Sequence, residues 1–235
     1  MKAVLRDAEV MQCETMHCLG DIVGYHDQPK ECVDLVRKHC RLVVKGNHEE
    51  YCSPAKPSSD IVPSAVEAIE RTKDKLSPED LNWLGVLPYI AKTEDFTLVH
   101  ASLDLPERWA YVFDKLAAAR HFNKQETPLC FNGHTHVPIT FMSKDGKVAG
   151  GTYTKFLIEP GKQYLVNVGS VGEPRDNHPG ASYVVYDASN RTIELRRVEF
   201  PRPPSGGHGD RKPVAGGGGP PRTLHGHADY PGAEE

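Results

Sequence analysis

Between residues 16 and 137 short apolar runs alternate with stretches of helical periodicity, and each apolar run closes on a polar turn. That alternation restricts the chain to folds in which strands and helices are layered against each other. The apolar runs are MHCLGD, RLVVKGN, the second half of YIAKTEDFTLVHAS, and PLCFNGHTH. Between them, QPKECVDLVRKHC carries Pro29 near a helix start and places Cys32, Val33, Leu35, Val36 and Cys40 on one stripe. SDIVPSAVEAIERTKDKL and SPEDLNWLGVL read as helices, the second capped by Ser77 with Asp80 three positions on. PERWAYVFDKLAAARHF reads as one further helix, and AVLRDAEV as the end of an earlier one. Beyond residue 137 the texture turns to strands: ITFMSKDGKVAGGTYTKFLI with an Asp145-Gly146 turn, then YLVNVGS, ASYVVYDAS and TIELRRVEF. The expectation is an α/β layer sandwich with mixed sheets.

From residue 201 onward Pro and Gly dominate, and such a segment cannot bury enough apolar surface to offset the entropy of ordering it. The 235 residues therefore read as one domain over 1–200 and a disordered Pro/Gly-rich tail over 201–235. A net charge of −4 leaves no electrostatic footprint for nucleic acid. MKAVLRDAEV lacks the apolar core of a secretory signal, and no segment approaches the roughly 18 apolar residues of a membrane span, so a cytoplasmic location is expected. The six cysteines form no C-x-x-C pair and are expected to be reduced, mostly buried thiols.

The polar strand ends form a pattern. LGD contributes Asp21, KGNHE contributes Asn47 and His48, VHAS contributes His100, and NGHTH contributes His134 and His136. In open α/β sheets ligands bind beyond the carboxyl ends of the strands, so these residues, distant in sequence, can meet in one pocket. A spacing of two in extended backbone would send His134 and His136 out of the same face. Imidazole with carboxylate and amide oxygen suits Mn²⁺, Fe²⁺, Zn²⁺, Co²⁺ or Ni²⁺, and the lack of thiolate ligands argues against a structural zinc. Two such ions roughly 3.5–4 Å apart would polarise a phosphoryl oxygen and supply hydroxide at neutral pH, with His48 free to protonate the departing alkoxide.

GDIVGY, KGNHE, VHAS and NGHTH, together with NVGSVGEPRD at 167–176, resemble the calcineurin-like metallophosphoesterase superfamily over nearly all of residues 1–200, and within it the small bacterial or archaeal phosphodiesterases. The resemblance implies a four-layer αββα sandwich, two mixed β-sheets flanked by helices, with a dinuclear site at the strand ends. It also implies that Asp21 bridges the ions, that Asn47, His100 and His134 complete one of them, that His136 reaches the other, and that His48 is the general acid.

The family pattern opens with a strand and an Asp-x-His motif, and neither precedes the helix at MKAVLRDAEV. The first strand is thus missing, one ion keeps four protein ligands, and its partner keeps only Asp21 and His136. The expectation is that Met1 is an internal methionine of a longer product. His26 and Asp27, in GYHDQP, stand near the site, where they could touch substrate or metal, but read first as a surface loop; Arg175 could meet a phosphate bidentately but reads first as half of a structural ion pair. The function expected is a metal-dependent phosphoesterase, phosphodiesterase or phosphatase, acting on a small-molecule or nucleotide phosphoester with Mn²⁺ as the favoured ion. The alternative is a catalytically impaired binding protein that keeps the fold and at most one ion; a role for the tail as a flexible interaction segment ranks last.

Overall fold

The computed structural model describes residues 1–53 and 63–200, with 63–65 described by backbone alone. The predicted tail, 201–235, and the start of the SDIVPSAVEAIERTKDKL helix lie outside the described residues. The helices are α1 (Lys2–Val10), α2 (Pro29–His39), α3 (Asn47–Cys52), α4 (Pro63–Lys73), α5 (Pro78–Val86) and α6 (Lys115–Phe122). The strands are β1 (Met16–Cys18), β2 (Cys40–Val43), β3 (Ile90–Lys92), β4 (Phe96–Val99), β5 (Leu129–Asn132), β6 (Thr140–Lys144), β7 (Lys147–Gly151), β8 (Lys155–Leu157), β9 (Gln163–Asn167), β10 (Ala181–Asp187) and β11 (Thr192–Val198).

Six strands form a mixed sheet in the order β3-β4-β5-β9-β6-β7, whose centre, β4-β5-β9, is parallel. Period-two alternation gives this sheet two apolar faces. Leu129, Phe131, Tyr164 and Val166 point to one side, where they meet Ile193, Val184 and Leu195 of β10 and β11 and Val44 after β2. Cys130 and Leu165 point to the other, against Ala118 and Phe122 of α6. A third cluster joins Val33 and Val36 of α2, Cys52 of α3 and Leu84 of α5 to Cys18 and Val43 of β1 and β2. Layers therefore follow in the order helix, sheet, sheet, helix.

The second sheet layer is divided, in keeping with the expected lack of the first strand. It is two pieces, a parallel pair β1-β2 and an antiparallel trio β10-β11-β8. Among the described residues one edge of β1 and one edge of β10 have no strand partner, and both strands line a single cavity of about 3550 Å³. Helix α1 lies over β10 and β11, fastened by the Asp7 carboxylate, which accepts from the Tyr183 hydroxyl at 2.7 Å and from Arg196 Nη2 at 3.1 Å.

The helix expected over 106–122 is three things instead. Pro106–Arg108 form a single 3-10 turn bounded by Leu105 and Trp109, both at φ 56°; an irregular segment follows; only Lys115–Phe122 is α-helix. Left-handed residues on both sides of the turn break helical continuation, and the Asp114 side chain starts α6 afresh by accepting from Ala117 N–H at 2.8 Å. Ser77 caps α5 reciprocally with Asp80 as its sequence indicates. The Asp145-Gly146 turn, with φ of 50° and 74°, joins β6 to β7. Among the described residues no helix is long and apolar enough to cross a membrane.

Candidate metal centre

Two parallel strand pairs bring the polar ends together. β1 and β2 run parallel, so Asp21 and the Asn47-His48 pair emerge at one edge. β4 and β5 run parallel, so His100 and His134 do the same, and the Gly133 N–H donates to the His100 carbonyl at 2.9 Å to hold the two loops level. The ligand atoms of Asp21, His100 and His134 all lie within 4.8 Å of one another. His100 Nε2 is 3.1 Å from His134 Nδ1 and 3.5 Å from Asp21 Oδ1. On the other side of the carboxylate, His136 Nε2 is 3.8 Å and His48 Nε2 4.0 Å from Asp21 Oδ2.

Backbone carbonyls orient the imidazoles. His100 Nδ1–H donates to Leu19 O at 2.6 Å and His136 Nδ1–H to Glu173 O at 2.7 Å, so in each ring Nε2 is left as the electron-pair donor facing Asp21. His134 bonds the Trp109 backbone and turns Nδ1 to the cluster. Burial, with His100 adjacent, holds the His134 imidazolium down to about 3, so it is neutral at physiological pH and has a lone pair to give. Burial alone would raise Asp21, but the surrounding rings of His100, His48, His136 and His134 outweigh it and hold the carboxyl well below the usual range. Asn47 Oδ1 is buried without a hydrogen-bond partner, a state a buried amide oxygen rarely keeps unless something else satisfies it. An ionised carboxylate, imidazole nitrogens turned toward it and an orphaned amide oxygen are the donor set a borderline divalent cation takes. The residues present fit one such ion.

His134 and His136 do not leave a common face of extended backbone. Both are left-handed, with φ of 64° and 59°, in the loop after β5; His134 Nδ1 meets His100 Nε2 at 3.1 Å, and His136 Nε2 lies 3.8 Å from Asp21 Oδ2. Two glycines allow the loops to close up. Gly20, at φ +87°, packs its Cα face onto the Gly46 backbone, and Gly24, at φ +88°, packs against the His48 ring; a Cβ on either would overlap its neighbour.

The chain belongs to the calcineurin-like phosphoesterase superfamily. The superfamily's domain model matches residues 1–191. An uncharacterised protein of Methanocaldococcus jannaschii is 37% identical over 205 residues, covering 85% of this chain and 82% of that protein. The crystal structure of a metallophosphoesterase from Sphaerobacter thermophilus superposes with a TM-score of 0.72 at 35% identity, covering 85% of this chain and 82% of that one. A hypothetical protein of Pyrococcus horikoshii shares the fold, with a TM-score of 0.63 at 18% identity over 86% and 83% of the two chains. Membership in this superfamily implies divalent metal ions.

Several residues at the site carried no sequence signal of their role. Glu49 is fully buried; its Oε2 accepts from the N–H groups of Asp21 and Gly46 at 2.8 Å each, and its Oε1 from Ile22 at 2.8 Å and Val23 at 3.3 Å. Burial and the Asp21 charge push its carboxyl up to about 7 against the pull of those donors. Tyr25 packs on His48 at 4.3 Å between ring centroids, and Tyr111 stacks on His134 at 4.2 Å. Among the described residues Arg175 is not half of an ion pair: it donates to the Tyr25 hydroxyl at 3.1 Å, while Asp176 pairs with Arg197. His26 is exposed and bonded to Gly172 O and Glu173, and Asp27 meets Lys75, which leaves both in a surface loop.

Proposed function

We propose that the protein hydrolyses a phosphate ester in the cytoplasm, with a divalent cation, Mn²⁺ foremost, held by Asp21, Asn47, His100 and His134, and His48 as general acid. The observation that supports this most directly is the gathering of Asp21, His100 and His134 within 4.8 Å, with His48 Nε2 on the far side of the same carboxylate at 4.0 Å. A cation there supplies Lewis acidity toward a phosphoryl oxygen and makes water a competent nucleophile near neutral pH.

The chain's own groups have distinct tasks. Asp21 places one oxygen toward His100 and the other toward His136 and His48, so it can serve both sides of the site. His48 keeps only 13% of its side chain exposed and is walled by Tyr25 and Gly24, which holds its ring in place while leaving an opening toward a substrate. As water attacks phosphorus and the ester P–O bond breaks, His48 gives its proton to the departing oxygen. Burial lowers the His48 pKa, which makes the imidazolium a readier donor; the Asp21 charge partly restores it.

The test is hydrolysis of an alkyl phosphodiester, whose leaving oxygen needs a proton, with added Mn²⁺. Asp21→Ala and His48→Ala should each lower turnover by orders of magnitude, and unchanged rates in both end this reading. A second reading, a one-ion binding protein of reduced activity, is favoured by an asymmetry: His100 and His134 both gather with Asp21 within 4.8 Å, and His136, 3.8 Å from Asp21 Oδ2, is the further ligand histidine. Calorimetric titration separates the two, since one ion per chain without hydrolysis supports the second and two ions exclude it.

A further inference from the structure

The irregular segment before α6 exposes large rings beside the cluster. Val112 is 3% exposed and anchors the segment in the core, while its neighbours Tyr111 and Phe113 are 51% and 53% exposed. The rings pile in near-parallel order: Tyr111 lies 4.2 Å from His134 at 16°, and Phe113 lies 5.7 Å from Tyr111 at 21°. The pile begins on a cluster histidine and ends in solvent with one aromatic face uncovered. Two exposed aromatic rings cost solvation free energy that an isolated loop has no reason to bear. Tyr111, Phe113 and Arg175 line the same cavity as Asp21, His48 and His136. Among the described residues Arg175 has no carboxylate partner, and its guanidinium lies 6.0 Å from the centre of the Tyr25 ring that packs on His48.

We infer that the site takes a nucleoside phosphoester, its base stacked on the Tyr111–Phe113 shelf, its phosphate at the Asp21 cluster and its anionic oxygens shared with Arg175. This rests on the phosphoesterase reading and narrows its substrate class. A π-face stacks on any base, so the shelf selects for the presence of a base and not for its identity. The arginine is free to donate to phosphate oxygens in fork geometry because no acid among the described residues neutralises it. The bare cluster binds any phosphoester; the shelf adds the preference.

The test compares adenosine 5′-monophosphate with ribose 5-phosphate, the same phosphate without the base, by calorimetry on the Mn²⁺-loaded protein. The wild type is expected to bind the nucleotide about tenfold more tightly, a typical contribution for one base on an aromatic ring. Phe113→Ser, at an exposed position that bears little on folding, should remove most of that advantage, and Phe113→Trp should keep it. Equal affinities in the wild type, or an advantage that survives in Phe113→Ser, overturn the inference. Turnover measured in parallel tells the two readings apart. A wild type that prefers the nucleotide but cleaves no phosphoester upholds the shelf and retires the phosphoesterase; one that cleaves phosphoesters without preference does the reverse.

Discussion

Replacing Glu49 with glutamine should damage the site from a distance, and the structure sets the size of the effect. Each carboxylate oxygen accepts two backbone N–H groups, Oε2 from Asp21 and Gly46 and Oε1 from Ile22 and Val23. Glutamine preserves volume but turns one oxygen into an NH₂ donor, so in either amide orientation two buried N–H groups face a donor. Leaving a buried polar group unsatisfied costs about 1–3 kcal/mol, so the pair amounts to roughly 2–5 kcal/mol after relaxation, a large share of the 5–15 kcal/mol typical of a domain. The same bonds hold the Asp21 loop against the Gly46-Asn47 loop, so metal affinity should fall about 10–100-fold, the usual effect of disturbing groups that orient ligands. Urea unfolding of the metal-free protein reads the first quantity, and calorimetric Mn²⁺ titration at a temperature where the variant is folded reads the second. A Glu49→Gln protein whose unfolding midpoint and Mn²⁺ affinity both match the wild type would refute the assignment of Glu49 as the tie between the loops.

Three further outcomes are expected. His121 is buried, its Nδ1 accepts from Leu103 N–H at 3.1 Å, and burial holds its pKa down to about 4; the stability of its neutral form is complete above the ordinary value near 6.5 and is lost as pH falls toward 4. By pH 5 that loss reaches about 2 kcal/mol, and His121→Gln should flatten the slope of unfolding free energy against pH between 6.5 and 5 by one histidine's share; an unchanged slope contradicts it. Asp7, held below the usual carboxylate range mainly by its hydrogen bond to Arg196, ties α1 to β10 and β11, so Asp7→Asn should cost about 1–2 kcal/mol at neutral pH and increase amide exchange in α1, with the difference shrinking below pH 4 as the wild-type carboxyl protonates. Because His48 is assigned to the leaving group, His48→Ala should cost about 10²–10⁴ in turnover of an alkyl phosphoester and far less with nitrophenolate, which departs unaided; equal losses on both move His48 to another role.

Much of the architecture was readable in advance wherever local chemistry and burial agree. Ser77 with Asp80 marks the start of α5, Asp145-Gly146 marks the β6-β7 turn, and the alternating runs at β4, β5 and β9 supply both faces of the large sheet. Where distant partners decide the conformation, local pattern misled. The 106–122 stretch has helical composition, but the chain breaks at Leu105 and Trp109, and Trp109 and Tyr111 pack on His100 and His134.

The sequence by itself determined which side chains stand at strand ends, because apolar runs and turn residues obey rules spanning only a few positions. It thereby named Asp21, Asn47, His48, His100, His134 and His136 as candidates. Only the tertiary structure decided how they meet: His134 and His136 reach the cluster in left-handed backbone, Glu49 ties the loops together, and Tyr111 and Phe113 leave the helix to stack beside His134. The reason is physical. A ligand cluster is set by distances between segments far apart along the chain, and those distances come from strand pairing and packing, which no local pattern encodes.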